Sequence, residues 1–396
     1  MRRVRRVLLW FACVFLLVFA GLWVAGPEPV VMGPYVQHVT SGTADVCSYD
    51  ELPTRVGVTL RGDGKNRTLT EDQPTSAHRF KLEGLKPGTR YEYSVFDLVT
   101  RVERWSGSFK TTSADAAEPF SFAALGDSGD VPHWHQRLHS FGWGRLRGLL
   151  ELTERTGQWD VAEWVAEKNP DFLAHLGDII YSRNELPAYE EAFFRPFEPV
   201  LGTTPVVAVV GNHDIHDWEH PKFFELFQPP ESIGQTYSDY SHTFAWGGVR
   251  FLVLEGFYEH WEDGSSMRSW LENTLEENTL PRTIVITHLP AFSDEEGVTE
   301  YEFVQTNLWP VLARHGVDLV VAGDSHSYQR FKPIDGITLV IAGTGGKSIR
   351  PVATTDRLAS HAEQFGFLLV KVDGTRIEGE FWTGGEQPFD SFVVTK

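Results

Sequence analysis

The first pattern along the chain is an uninterrupted apolar run over residues 7–25, preceded by Arg2, Arg3, Arg5 and Arg6 and followed by Gly26-Pro27-Glu28-Pro29. In a helix this run of nineteen residues spans ~28 Å, about the hydrocarbon thickness of a bilayer. The arginines favour the cytoplasmic side, which predicts a membrane anchor over residues 1–29 and places everything after Pro27 outside the cytoplasm. A cleaved signal peptide is the alternative, and it exports the protein equally, as a secreted form. From residue 31 to about 112 the chain turns polar, turn-rich and strand-like. Residues 56–60 alternate, and Arg61-Gly62-Asp63-Gly64 reads as a hairpin turn. A small polar linker over residues 113–118 ends this region. Beyond it, short apolar runs at 120–125, 172–176, 205–210, 283–287 and 318–322 predict buried strands, and residues 159–168 and 267–278 carry helical periodicity. Strands alternating with helices predict a layered α/β domain over residues 118–396. Residues 131–158, with His133, Trp134, His135, His139 and Trp143, read as a long connection, a solvated loop first and a lid or rim of the site as the alternative.

Composition supports this division. A length of 396 residues suits two domains and an anchor, and 41% hydrophobic with 13% aromatic residues suffices for two cores, which excludes a disordered chain. The formal charge of −19 and a pI near 5.2 argue against a nucleic-acid-binding surface, because a phosphate backbone needs a basic face. A small phosphorylated substrate remains compatible if bound cations supply the local positive charge. Cys13 lies in the apolar run and Cys47 is the other cysteine, so the exported part can form no internal disulfide. In the strand-rich region, Leu82-Glu83-Gly84-Leu85-Lys86-Pro87-Gly88-Thr89-Arg90-Tyr91 resembles the tyrosine corner of fibronectin-type sandwiches, in which a strand tyrosine returns its hydroxyl to nearby backbone. It predicts an all-β sandwich, fibronectin III-like, over residues 30–113.

The chemistry is concentrated at the strand ends of the second region. Five polar clusters follow strands directly: Gly126-Asp127-Ser128-Gly129, Gly177-Asp178-Ile179-Ile180-Tyr181, Gly211-Asn212-His213-Asp214, Val285-Ile286-Thr287-His288 and Gly323-Asp324-Ser325-His326. Open α/β sheets gather ligands at the carboxyl ends of their strands, so five such loops can converge on one spot. They deliver Asp127, Asp178, Tyr181, Asn212, His288, Asp324 and His326, a mixture of hard oxygens and imidazoles with no thiolate. That set suits iron, manganese or zinc. It is about what two metals need when one ligand bridges, and a metal pair ~3.5–4 Å apart serves in-line phosphoryl displacement by a metal-activated hydroxide. His213 is the candidate for a catalytic residue outside the metal shell, with Asp214 expected to orient its ring. His216 and Trp218 are candidates for the pocket entrance. Gly343-Thr344-Gly345-Gly346-Lys347 lacks the spacing of a nucleotide-binding loop and reads as a structural turn near the site. No Gly-x-Ser-x-Gly elbow appears.

The five motifs in this order resemble the calcineurin-like metallophosphoesterases. Tyr181, three residues after Asp178, narrows the resemblance to the purple acid phosphatase branch. That branch also has an N-terminal fibronectin-like domain, and Gly33-Pro34-Tyr35-Val36-Gln37 is similar to its opening strand. The resemblance covers most of residues 31–390 and implies a core of two facing sheets flanked by helices, four layers in all. It implies a first metal held by Asp127, Asp178, Tyr181 and His326, and a second held by Asn212, His288 and Asp324 with Asp178 bridging. Gly129 stands where other members place a histidine ligand, and the phenolate of Tyr181 replaces it, which implies iron(III) at the first site. The second site is expected to hold manganese, iron, zinc or magnesium. The implied activity is hydrolysis of phosphate monoesters. The alternatives are a phosphodiesterase acting on nucleotides or phospholipids, and a catalytically degenerate cell-surface binding protein.

Two positions depart from the family pattern. Residues 289–301 contain no histidine and offer Asp294, Glu295 and Glu296, so leaving-group contacts are expected to differ. Asp324 stands where the family usually has the first histidine of Gly-His-x-His; as a ligand it hardens the second site and adds negative charge, and standing back from the metal it leaves that site weak. Asp324→His is therefore expected to shift the second metal away from manganese, iron or magnesium and toward zinc. Metal analysis of both proteins checks this, and unchanged identity and affinity would count against it.

Overall fold

The computed structural model describes residues 29–113, 115, 117–129, 157–181, 185–215, 222–229, 241–255, 261–297 and 301–395. The apolar run at 7–25, the connection carrying His133, His135 and His139, and His216 with Trp218 lie outside the described residues. Within them, no helix is long and apolar enough to cross a membrane.

Seven strands open the described chain: β1 (Val31–Gln37), β2 (Ala44–Thr54), β3 (Val56–Gly62), β4 (Lys65–Thr70), β5 (Thr75–Leu82), β6 (Arg90–Asp97) and β7 (Glu103–Lys110). They form two sheets, in the orders β1-β2-β5 and β4-β3-β6-β7. Val36, Val46, Val58, Leu60, Phe80, Tyr93 and Phe109 fill the space between them. The expected hairpin is present: Asp63 (φ 47°) and Gly64 (φ 78°) both take left-handed conformations between β3 and β4, which fits the right-handed strand twist. The hydroxyl of buried Tyr91 accepts the Lys86 N–H at 2.8 Å, the return to backbone that its sequence context predicts.

The second region holds β8 (Phe120–Leu125), β9 (Phe172–His175), β10 (Val206–Ala208), β11 (His242–Trp246), β12 (Val249–Leu254), β13 (Arg282–Thr287), β14 (Leu319–Ala322), β15 (Tyr328–Phe331), β16 (Thr338–Ala342), β17 (Leu358–Ala362), β18 (Phe367–Asp373), β19 (Arg376–Trp382) and β20 (Asp390–Val393). They build a six-stranded sheet, β10-β9-β8-β18-β19-β20, and a seven-stranded sheet, β11-β12-β13-β14-β16-β15-β17. All five predicted strands are found, with ends that differ by one or two residues where the ladder stops. Helix α1 (Gly157–Lys168) and helix α2 (Ser266–Glu276) match the two periodic stretches.

The strands read as continuous apolar runs because both faces are covered. On β8, Phe122 and Ala124 point between the sheets, while Ala123 and Leu125 meet α1. On β13 and β14, Ile284, Ile286, Leu319 and Val321 face inward, and Val285 and Val320 face α2 and the helical segment around Trp309. Aromatic rings lock the sheets together: Phe122 stacks on Phe172 at 4.9 Å, and Phe251 meets both edge-on from the opposite sheet. This is the predicted layering of helix, sheet, sheet and helix. The N-terminal sheets dock beside it, with the Tyr35 hydroxyl donating to the Leu226 carbonyl and the Tyr93 hydroxyl to the Gly202 carbonyl. Strands β8, β9 and β10 run parallel, as do β12, β13, β14 and β16, so all five polar clusters leave parallel strands at their carboxyl ends.

Candidate metal centre

Three of the loops share one backbone device. Asp127, Asp178 and Asp324 each follow a strand-end glycine and take a left-handed conformation, with φ of 59°, 54° and 64°. Aspartate is among the residues that tolerate this region, at a cost that the surrounding hydrogen bonds must offset. Here the Asp127 N–H donates to the Gly177 carbonyl, and the Asp324 N–H donates to Asp127 Oδ2 at 2.9 Å. The left-handed turn falls on the aspartate, and the glycine supplies close approach. A Cβ on Gly211 would lie 2.2 Å from the Asp178 backbone nitrogen, and one on Gly129 would lie 2.2 Å from the Ile179 carbonyl oxygen. No histidine can occupy position 129 without moving the loop that carries Tyr181.

The seven predicted side chains converge in two adjoining groups. In the first, the Tyr181 hydroxyl lies 2.7 Å from Asp127 Oδ1 and 2.9 Å from His326 Nε2, with His326 Nε2 3.5 Å from Asp127 Oδ1. In the second, His288 Nε2 lies 2.9 Å from Asn212 Oδ1, 3.4 Å from Asp178 Oδ1 and 3.5 Å from Asp324 Oδ1. Asp178 stands between them, and one atom each from Asp127, Asp178 and His288 falls within 4.8 Å of the others. The imidazoles are oriented from behind. His288 Nδ1 donates to the Leu176 carbonyl at 2.7 Å, and His326 Nδ1 donates to the Ser348 carbonyl at 3.0 Å. In the neutral rings those bonds turn each Nε2 lone pair inward, toward oxygens of Asn212, Asp178 and Asp324 for His288 and toward Asp127 and the Tyr181 hydroxyl, which can donate, for His326. A cation is what such a donor set fits.

The electrostatics agree. Burial pushes the Asp178 carboxyl up to about 7, and the charges of Asp127 and Asp324 add to the shift. Burial would lower His288, but the Asp178 and Asp324 carboxylates hold its proton well above the ordinary histidine range. Burial and the charges of Asp127 and Asp178 raise the Tyr181 phenol. Burial would raise Asp127 too, yet the His326 hydrogen bond and the histidine charges leave it lowered. A bound cation reverses the sense for the raised oxygen acids, favouring carboxylate and phenolate.

A family model described as calcineurin-like phosphoesterase matches residues 120–328, more than half of the 396-residue chain. The chain belongs to the calcineurin-like phosphoesterase family. Among curated relatives, "Purple acid phosphatase 21" of Arabidopsis thaliana is 25% identical over 74% of this chain and 61% of its own length. "Probable inactive purple acid phosphatase 24" of the same plant is 23% identical over 82% of this chain and 58% of its own length. The chain thus spans about three fifths of these relatives. The structure of purple acid phosphatase PPD1 from yellow lupin (Lupinus luteus) seeds superposes with a TM-score of 0.75 at 18% identity, covering 93% of this chain and 74% of that one. At this identity the superposition shows a shared fold.

One expectation needs correction. Asp214 does not orient His213: fully buried, its carboxyl group accepts the Gly211 N–H through Oδ2 and the Ile179 and Ile180 N–H groups through Oδ1. It ties the third loop to the second and is a structural staple. In the loop after His288, Asp294 and Glu295 are both committed to partners. Asp294 pairs with Arg357, and Glu295 accepts the His326 N–H at 2.6 Å and the Arg350 guanidinium at 2.8 Å. The fold buries both with these partners. The turn at 343–347 lies by the site as expected, the Lys347 N–H donating to the Asp127 carbonyl and Lys347 Nζ sitting 4.7 Å from the centre of the Tyr181 ring. Lys347 and Arg350 belong to no metal motif, and a basic side chain just past the glycine-rich turn was the only sequence signal for either.

Asp178 and His288 are both raised, so the metal-free folded protein holds protons that the unfolded chain releases. The stability they contribute is complete below their unfolded values and is lost as pH rises through the folded ones, about 7 for Asp178. A bound cation would replace those protons. The stability difference between metal-loaded and metal-free protein is therefore expected to widen from about pH 5 to about pH 8. Thermal unfolding of both forms across that range measures it, and a constant difference would contradict the arrangement.

Proposed function

We propose that the chain is a binuclear-metal hydrolase of phosphate esters, of the purple acid phosphatase type, acting first on monoesters. The observation that carries the proposal is the convergence of two donor groups, one around Tyr181 and His326 and one around His288, with the Asp178 carboxylate between them. Asp127, Asp178, Tyr181 and His326 are proposed to hold iron(III). Asn212, His288 and Asp324 are proposed to complete a second site for manganese, iron, zinc or magnesium. When bound, such a pair lowers the pKa of water to give a nucleophile at neutral pH and neutralises charge on the phosphoryl oxygens.

The chain's own groups supply the rest. Leu176 and Ser348 carbonyls fix the two imidazoles, and the Asp214 carboxylate holds the loops of Asp178 and Asn212 in register. His213 stands at the mouth, its side chain 40% exposed, its Nε2 4.0 Å from Asp178 Oδ2 and its ring 4.6 Å from that of Tyr181. There it can donate a proton to the leaving oxygen. The N-terminal sheets are proposed to be a fibronectin III-like module, a reading supported by their strand order and the Tyr91–Lys86 hydrogen bond. With the apolar N-terminal run as anchor or signal, catalysis is proposed to take place outside the cytoplasm.

Two measurements test this reading. Protein loaded with iron is expected to show a visible tyrosinate–iron(III) band that Tyr181→Phe abolishes; an unchanged spectrum in the variant would remove Tyr181 from the site. His213→Ala is expected to keep its metals and lose about a hundredfold in turnover on alkyl monoesters, with a smaller loss for good leaving groups and lower rates on diesters throughout. Equal losses across leaving groups would argue against an acid role. No turnover of any ester by metal-replete wild type would favour the degenerate reading that Asp324 and relatives named probable inactive raise.

A further inference from the structure

The donor array is strongly anionic, with Asp127, Asp178 and Asp324 gathered in one pit, and a phosphate ester approaching it is itself an anion. Two basic side chains border the pit from the segment after β16. Lys347 places its ammonium 4.7 Å from the centre of the Tyr181 ring. Arg350 is tied down at both ends. Its N–H donates to the His326 carbonyl at 3.0 Å, and Nη1 donates to Glu295 Oε1 at 2.8 Å. Glu295 is fully buried, and its other oxygen accepts the His326 N–H, so one carboxylate positions both a donor of the array and the guanidinium. The Arg350 side chain is nevertheless 49% exposed. Partial burial would lower the pKa of its guanidinium, but the Glu295 carboxylate raises it, with Asp324 adding to the effect.

We infer that Arg350 and Lys347 form an anion subsite that binds the non-bridging oxygens of the substrate's phosphoryl group over the paired donor sites. A planar guanidinium held at one nitrogen can present its remaining N–H groups to a phosphate, and the ammonium adds a point charge beside it. This deepens the proposed function and rests on it. The subsite supplies affinity for the phosphoryl group, and Glu295 is its positioning residue.

Inorganic phosphate is the probe, titrated calorimetrically into metal-loaded protein, with metal content measured in each sample. Arg350→Lys keeps a charge beside Glu295 and so preserves the fold, while losing the fork. It is expected to weaken phosphate binding about tenfold at unchanged metal content, and Lys347→Ala in the same background is expected to weaken it further. Equal phosphate affinity in wild type and Arg350→Lys would overturn the inference. So would a variant that loses metal while its loaded fraction binds phosphate normally, because Arg350 would then serve only to hold Glu295. Hydrolysis of phosphate monoesters by wild type, assayed in parallel, separates the two levels. Turnover with equal affinities sinks the subsite alone, and absence of both turnover and phosphate binding in metal-replete wild type sinks the proposed function with it.

Discussion

The structure depends on a repulsion that the fold does not relieve by itself. Asp127, Asp178 and Asp324 converge with Asn212 Oδ1 and two imidazole nitrogens whose opposite edges are already committed to backbone carbonyls. Lone pairs face lone pairs in a buried space, where unpaired charge is costly. Protons offset part of this in the metal-free chain, which is why Asp178 and His288 are both raised. A divalent or trivalent cation offsets far more. The architecture around the site can be understood as the scaffold needed to hold mutually repelling groups together until a cation arrives.

That scaffold works at three levels. The two-sheet core, sealed by Phe122, Phe172 and Phe251, sets parallel strands whose carboxyl ends open on one side. At those ends, left-handed aspartates turn the chain within one residue, and glycines let the loops pass at backbone contact distance. Behind them, buried polar groups lock loop to loop. Asp214 joins the second and third loops, and Glu295 joins the fifth to the segment carrying Arg350. Ser128 Oγ, next to Asp127, is 2.9 Å from His175 Nε2, whose ring burial pushes down to about 3 and so keeps neutral. Each of these groups is a fixed polar contact in a dry interior, where a satisfied hydrogen bond rigidifies its surroundings.

Much of the fold and the donor set was legible in the sequence for a simple physical reason. A strand buried on both faces must be continuously apolar, and a ligand at its end must follow directly, so Phe120–Leu125 with Asp127 and Arg282–Thr287 with His288 carry their meaning locally. The Asp63-Gly64 turn and the Tyr91 corner were legible on the same ground, because their geometry involves neighbours in the chain. The Gly129 and Tyr181 pair also spoke through residue type, since the missing Cβ at one position leaves room for the loop of the other.

What sequence could not convey were the contacts between residues far apart, because an acid reads the same on paper whether it meets water, a backbone amide or an arginine. Asp214 sits one position from His213, yet its partners are Gly211, Ile179 and Ile180. Nothing in the local sequence marks Glu295 as the buried link between His326 and Arg350. The sequence by itself determined which residues could be ligands and which strands would carry them, since both follow from residue type and local spacing. Only the tertiary structure decided which groups meet in space, which carboxylates face the pit and which staple its walls, because burial and hydrogen-bond partnership are set by packing across long separations.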